Sequence, residues 1–325
     1  MKISVLGCGR WGSFIAWYLS RRGNEVLSWG PDGDGSYRIL KETGRNEYVV
    51  LDKKIELSCD LEYAVKRAEI IVISISAQGL RGFMQRIVKY PVQDKTFVLC
   101  MKGIEVETGK RLSEILVESG ISSDKIAVWV GPGHIQSFVN GVPNCMVIDS
   151  VNEKLKRGLV DMFRSDLIRF YYGNDLIGTE IGAAAKNVMG IAAGVLDVVC
   201  VPLKGPLMTR GAREVARLIK AMGGNELSAY GLAHLGDYET TLFSPYSHNR
   251  MYGEMLAKGQ RFEKLAEGVA TSKAMKGLGE KYGVDLPITH AVYSVCYGDV
   301  SDDMTKCRSV IEEMFSRSTK TEMYE

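Results

Sequence analysis

Lys186 and Asn187 stand side by side in the middle of residues 179–194, a stretch of Ala, Gly, Ile, Val and Met that is apolar nearly all round. A helix with no polar face is a buried helix. An ammonium inside it is costly unless it has a task. Desolvation lowers a lysine's pKa toward neutrality. A lysine so placed can take the proton of an alcohol while hydride leaves the carbon. The competing reading is a lysine whose stem lies along apolar surface and whose head reaches water.

A second group of residues is built for an anion. Gly7, Gly9 and Gly12 form a GxGxxG with Arg10 and Trp11 between them. The motif alone says little. Here it follows the strand-like residues 2–6 and opens an apolar-faced helix with Phe14, Ile15, Tyr18 and Leu19. Gly7 permits the turn, Gly9 lets the backbone approach a pyrophosphate, and Gly12 lets helix lie on strand. The helix N-terminus offers N–H groups and positive dipole. About twenty residues on, Asp32 follows the second strand candidate, where an acid bonds an adenosine ribose hydroxyl; it also suits a plain turn. No Arg or Lys lies between Gly23 and Tyr37 to hold a 2′-phosphate, although Arg38 and Lys41 are within reach of folding back.

Three shorter clusters set polar side chains among glycines. Lys102 and Gly103 follow a strand candidate, at the carboxyl edge where such sheets bind ligands. Residues 231–237 place Asp237 after a flexible turn, and Ser247, His248, Asn249 and Arg250 offer donors suited to phosphate. Each alone also reads as a loop or a solvated face, and Arg210 as a structural ion pair.

The elements that must position these groups fall into two halves. Strand candidates lie at 2–6, 25–29, 69–75, 96–101, 126–130, 145–149 and 168–172, with helix candidates at 10–22, 60–67, 78–88, 107–119 and 152–164. That alternation predicts an α/β, doubly wound, mostly parallel Rossmann sheet. From 176 the pattern turns all-α, with helices at 176–199, 207–222, 249–258, 265–282, 287–297 and 302–315 and a polar, fraying tail at 316–325. The domains are thus 1–175 and 176–325. A chain of 325 residues suits two cores. A net charge of +2 argues against nucleic acid or a charged membrane surface. The seven cysteines are scattered without a CxxC, which reads as reduced thiols in a cytoplasmic protein. The four histidines lack metal spacing. The chain opens directly on a strand, with no signal peptide, and the longest apolar run, near 188–196, reads as too short to cross a bilayer.

Taken together, these residues resemble the NAD(P)-dependent glycerol-3-phosphate dehydrogenases. The likeness runs from residue 1 to about 297 and also covers Asn46 with Tyr48, Gly131-Pro132, Gly178 with Glu180, Thr209-Arg210-Gly211, Gly236-Asp237 and Glu267-Gly268. It implies reversible oxidation of sn-glycerol 3-phosphate to dihydroxyacetone phosphate, with NAD or NADP as cofactor and a homodimer formed through the helical half. It makes Lys186 the proton acceptor and puts Lys102, Asn187, Asp237, Thr241 and Asn249 around the glycerol phosphate, with Glu267 near the cofactor. On that basis Asp237 and Asn187 would orient Lys186 and the reacting oxygen, and Lys102 would neutralise charge developing there. Asn249 and Arg250, beside Ser247 and His248, would hold phosphate with the backbone of Gly131 and Gly133.

The departures from the family gather on the phosphate pocket. His248 stands where the family has Arg, and a neutral imidazole lacks the fork of a guanidinium. The family's Gly-Pro-Ser-Phe-Ala is Gly131-Pro132-Gly133-His134-Ile135 here, residues 197–203 are shortened, and Pro31 replaces a usual basic residue. Two rivals therefore stay open: a dehydrogenase of the same fold for another polyol phosphate or hydroxy compound, and a dinucleotide-binding regulator without turnover. His248 as a retuned anion site leads to two expectations: a Michaelis constant that improves below about pH 6.5, and higher efficiency in His248→Arg. Asp32 generates a prediction about the cofactor: NAD(H) binds more tightly than NADP(H). Paired fluorescence titrations check it, and equal or reversed affinities would turn attention to Arg38 and Lys41.

Overall fold

The structure, a computed structural model, describes residues 1–298, 303–319 and 321. The apolar runs form one sheet of β1 (Lys2–Leu6), β2 (Glu25–Trp29), β3 (Glu56–Ser58), β4 (Ile70–Ile73), β5 (Thr96–Leu99), β6 (Ile126–Val130), β7 (Asn144–Asp149) and β8 (Ile168–Tyr172). Their order is β3-β2-β1-β4-β5-β6-β7-β8. Pairing is parallel except between β6 and β7. Both faces are covered, by α1 (Arg10–Arg21), α2 (Gly35–Thr43), α3 (Leu61–Arg67), α4 (Leu80–Ile87), α5 (Leu112–Glu118), α6 (Ile135–Val139) and α7 (Glu153–Phe163). The strand order reverses between β1 and β4. The carboxyl ends of those strands are where such sheets bind ligands.

Among the strands and α-helices of this half, three escaped the sequence pattern: β3, α2 and α6. α2 follows a Gly- and Asp-rich stretch that reads as a turn, yet Asp34 caps it by accepting from the Tyr37 N–H at 3.0 Å. The helix expected from 107 begins only at Leu112. Before it, the Glu105 N–H bonds the Lys110 carbonyl and Gly109 has φ +69, so residues 105–110 close a turn.

The helical half contains α8 (Leu176–Val199), α9 (Lys204–Ala221), α10 (His248–Ala257), α11 (Glu267–Tyr282), α12 (Pro287–Tyr297) and α13 (Asp303–Ser316). Residue 302 and, of the expected fraying tail, residues 320 and 322–325 lie outside the described residues. α8 corrects the bilayer reading. By length and composition its 24 residues could cross a membrane, but 78% of its most apolar window is buried inside this protein. Two carboxylates lock it to the first half. Asp149 at the end of β7 accepts from Thr179 Oγ1 at 2.8 Å. Glu180 accepts from Arg111 Nη1 at 2.6 Å and the Ser113 N–H at 2.9 Å, which draws the start of α5 onto α8.

Gly178, Gly182, Lys186, Gly190 and Gly194 stand every fourth residue along α8. The four glycines admit the chain that returns over them. A Cβ at Gly178 would lie 2.5 Å from Ser228 Cβ, at Gly182 3.0 Å from His234 Cβ, at Gly190 2.8 Å from Thr241 Cγ2, and at Gly194 1.9 Å from the Arg250 carbonyl oxygen. Lys186 is the one long side chain in that row, so residues 228–250 are draped around it. Gly194→Ala should therefore force α10 away from α8 and lower stability by about 1–3 kcal/mol, the usual cost of overpacking. Thermal unfolding checks this; an unchanged Tm would contradict the close approach.

Candidate active site

The register Leu6↔Trp29 sets the turn after β1 beside the loop after β2, and the Gly7 N–H bonds the Trp29 carbonyl at 2.9 Å. Gly7 has φ +112, and a Cβ there would fall 2.2 Å from the Ser74 carbonyl oxygen. A Cβ at Gly12 would fall 1.7 Å from the Gly7 carbonyl oxygen, whereas one at Gly9 would meet nothing within 4 Å. The turn is thus closed on the protein side and open over Gly9, at the N-terminus of α1. That is the cradle a pyrophosphate needs, and these residues fit a dinucleotide. Asp32 is exposed in the turn after β2, while the nearby Asp34 is spent on capping α2. Lys41 Nζ lies 5.7 Å from the centre of the Tyr37 ring, close to that turn. Trp11, Cys100 and Lys102 line a small gap under Trp129 and Met146.

The charged cluster brings three segments together. Asp237, 1% exposed, accepts from Lys102 Nζ at 2.7 Å and lies 3.1 Å from Lys186 Nζ, with both contacts on Oδ2. Its other oxygen takes the Thr240 hydroxyl. Burial alone would push the Asp237 carboxyl up, but Lys102 and Lys186 outweigh it and hold it below the ordinary aspartate value. For Lys186 burial wins over Asp237, and its pKa falls from 10.5 to about 8. The Lys186 ammonium also donates to Thr241 Oγ1 at 2.8 Å, and that of Lys102 to the Gly131 carbonyl at 2.8 Å. The 235–237 turn that carries Asp237 is anchored by His234. Its ring nitrogens contact the Gly182 carbonyl at 2.9 Å and the Tyr238 hydroxyl at 2.7 Å. Burial lowers its pKa to about 4, so it stays neutral.

The Asn187 side chain turns to partners other than Lys186. It belongs to a chain of amides in which the Gly268 N–H bonds Asn249 Oδ1 at 2.9 Å, Asn249 Nδ2 bonds Asn187 Oδ1 at 3.0 Å, and Asn187 Nδ2 bonds the Lys102 carbonyl at 3.2 Å. Adjacent side chains on a helix point about 100° apart, so neighbours in sequence need not share a target. Asn187 and Asn249 thus place the backbone of Lys102. Glu267, next to Gly268, accepts the Ala77 N–H at 3.2 Å after β4, and burial raises its pKa.

The residues expected around a phosphate are less free than their sequence suggests. Arg250 bonds Asp197 at 2.6 Å through Nε, and Lys204, which sequence reasoning passed over, pairs with the other oxygen of Asp197. Ser247 caps α10, accepting the Arg250 N–H at 3.3 Å. The Gly131 carbonyl is taken by Lys102. Gly133 has φ +150, and any side chain there would strike the Phe138 ring at 2.3 Å. His248 has its pKa lowered by burial and then by the nearby Arg10 charge. The acid-pH expectation built on an ordinary histidine is therefore revised: His248 gains charge only below its usual range. The arginine in His248→Arg would also face Arg10.

A Rossmann sheet with its glycine cradle, opposed across the carboxyl edge by a buried lysine on a helical domain, defines a nicotinamide-dependent dehydrogenase. Residues 2–156 match the family model for the NAD-dependent glycerol-3-phosphate dehydrogenase N-terminus, and 175–305 that for its C-terminus. The chain is 32% identical to a glycerol-3-phosphate dehydrogenase (NAD(P)+) of Chlorobium limicola, covering 100% of both chains. It is 35% identical to one from Moorella thermoacetica, covering 91% of each. The crystal structure of glycerol-3-phosphate dehydrogenase from Coxiella burnetii superposes with a TM-score of 0.87 at 23% identity, over 97% of this chain and 99% of that one. The chain belongs to the NAD-dependent glycerol-3-phosphate dehydrogenase family.

The cluster generates a prediction about stability. Asp237→Asn leaves two buried ammonium groups without their carboxylate, and breaking such a group costs about 3–5 kcal/mol. Lys186 already has a folded pKa below its unfolded value, so the unfolded chain binds more protons between about pH 8 and 10.5 and stability rises with pH across that window. The variant deepens this depression. Its loss of Tm should be largest well below pH 8 and shrink as the pH rises through about 8, where wild-type Lys186 also becomes neutral. A loss independent of pH would contradict the pairing.

Proposed function

We propose that this chain interconverts sn-glycerol 3-phosphate and dihydroxyacetone phosphate with NAD(P). The observation that carries this reading is Lys186: buried, held 3.1 Å from Asp237, and lowered to a pKa of about 8. In the oxidising direction neutral Lys186 takes the hydroxyl proton at Nζ. In the reducing direction its ammonium returns that proton to the carbonyl oxygen. A nicotinamide held over the glycine turn would supply the hydride chemistry for that carbon. Thr241 and Asp237 fix where the Lys186 nitrogen points. Lys102, steered by Asp237 and the Gly131 carbonyl, sets a second positive charge where the substrate oxygen becomes negative. Asn187 and Asn249 hold the Lys102 backbone.

Residues 1–175 bind the dinucleotide over Gly7, Gly9 and Gly12, with Asp32 toward the adenosine end and Glu267 closing the turn after β4. Residues 176–325 supply the proton acceptor. The seven scattered cysteines, none in a CxxC, suit the reducing cytoplasm. Assembly as a homodimer through the helical half would cover exposed Leu227, Phe243 and Leu265.

Lys186→Ala should lower turnover of dihydroxyacetone phosphate by about 10²–10⁴-fold, the usual contribution of a general acid–base group. NADH affinity should stay within a factor of about two. Steady-state rates and fluorescence titration measure the two quantities. A variant that keeps most of its activity removes Lys186 from the mechanism. If the wild type prefers another ketone phosphate, the reading moves to a related substrate of the same fold.

A further inference from the structure

The family's arginine is missing at 248, yet a guanidinium occupies the same neighbourhood. Arg10, on the first turn of α1 directly after Gly9, reaches across to the segment before α10 and donates from Nη1 to the Tyr246 carbonyl at 3.3 Å. Its guanidinium carbon lies 5.4 Å from the centre of the Tyr48 ring. Its charge is felt by both His248 and His134. Arg10 Nε is buried and has no hydrogen-bond partner among the described residues. The same is true of Nε2 of His134, whose ring stands 5.5 Å from that of Tyr246.

Two buried nitrogens without partners, on segments that meet at Tyr246, represent an unmet demand for an acceptor. An anion is the acceptor that suits such donors, with a charge-assisted bond from the arginine. The two departures from the family pattern also fit together. The Phe138 ring fills the space a side chain at Gly133 would need, and the next residue, His134, brings a polar group instead. Glu47, the carboxylate that acts on Arg10, exerts a weaker influence than burial and than Tyr48.

We propose that Arg10, with His134 beside it, forms a relocated phosphate grip, supplying from α1 the guanidinium that the family carries at position 248. The ligand group is a phosphate, either the substrate's own or one of the dinucleotide's. The substrate arm rests on the function proposed above; the dinucleotide arm does not.

The test is a swap. Arg10→Gln, His248→Arg and the double variant are compared with wild type for NADH and NADPH dissociation constants by fluorescence titration, and for the KM of dihydroxyacetone phosphate against phosphate-free dihydroxyacetone. Arg10→Gln should weaken one phosphate ligand at least tenfold and leave the KM of dihydroxyacetone, read at saturating NADH, unchanged. A raised KM with unchanged NADH affinity identifies the substrate phosphate, and the converse identifies the dinucleotide. His248→Arg alone should give no gain, because its charge meets that of Arg10. In the double variant it should restore most of the lost affinity. Arg10→Lys, which keeps the charge and the stem, guards against a folding defect. Arg10→Gln and Arg10→Lys both binding within twofold of wild type, or a loss that His248→Arg does not repair, overturns the proposal. A wild type inactive on dihydroxyacetone phosphate would instead sink the proposed substrate, while the dinucleotide titrations still test Arg10.

Discussion

Asp237 holds two ammonium groups on one buried oxygen, and the architecture around it exists to make that tolerable. Two cations against one carboxylate leave an excess positive charge in a poorly solvated space. Such an excess is costly at rest. It becomes favourable when a substrate oxygen turns negative beside it. Burial first, and the second cation Lys102 after it, bring the Lys186 pKa down to about 8 although a carboxylate touches it. Burial removes more stabilisation from the ammonium than Asp237 returns.

The cluster works only if three segments distant in sequence arrive together. Lys102 comes from the loop after β5, Lys186 from α8, and Asp237 from the turn over it. The glycines of α8 let residues 228–250 come close enough for Asp237 and Thr241 to reach Lys186. The amide chain from Gly268 through Asn249 and Asn187 sets the depth of the Lys102 backbone. Asp149 ties α8 to the end of β7, and Glu180 ties it to the start of α5, so Lys186 is anchored to the half that carries the glycine turn. Each contact is modest; their shared effect is to remove freedom from two lysine side chains that would otherwise lose much entropy on binding.

Much of this was legible from residue order. The turn at Gly7, Gly9 and Gly12 is a local pattern, and so is an apolar helix with one lysine inside. Both follow from steric and solvation rules that act over a single turn. Partnerships between distant segments were not legible. Nothing beside Arg250 announces that Asp197, more than fifty positions earlier, takes its guanidinium. Nothing beside Asn187 says that it serves Lys102 rather than its neighbour. α2 was hidden because a Gly- and Asp-rich entry looks like a turn until Asp34 is seen to cap it. Arg10 was legible as part of the glycine turn, but its meeting with Tyr246 and its nearness to His248 required the fold.

The central claim is that burial and Asp237 together tune Lys186 as the proton acceptor. The pH dependence of kcat/KM for glycerol 3-phosphate oxidation tests it most directly, since that profile reports the free enzyme's essential base. Efficiency should climb as Lys186 loses its proton and level off above an apparent pKa near 8. A profile flat between pH 6 and 9, or one still rising toward the ordinary lysine value of about 10.4, would contradict the account.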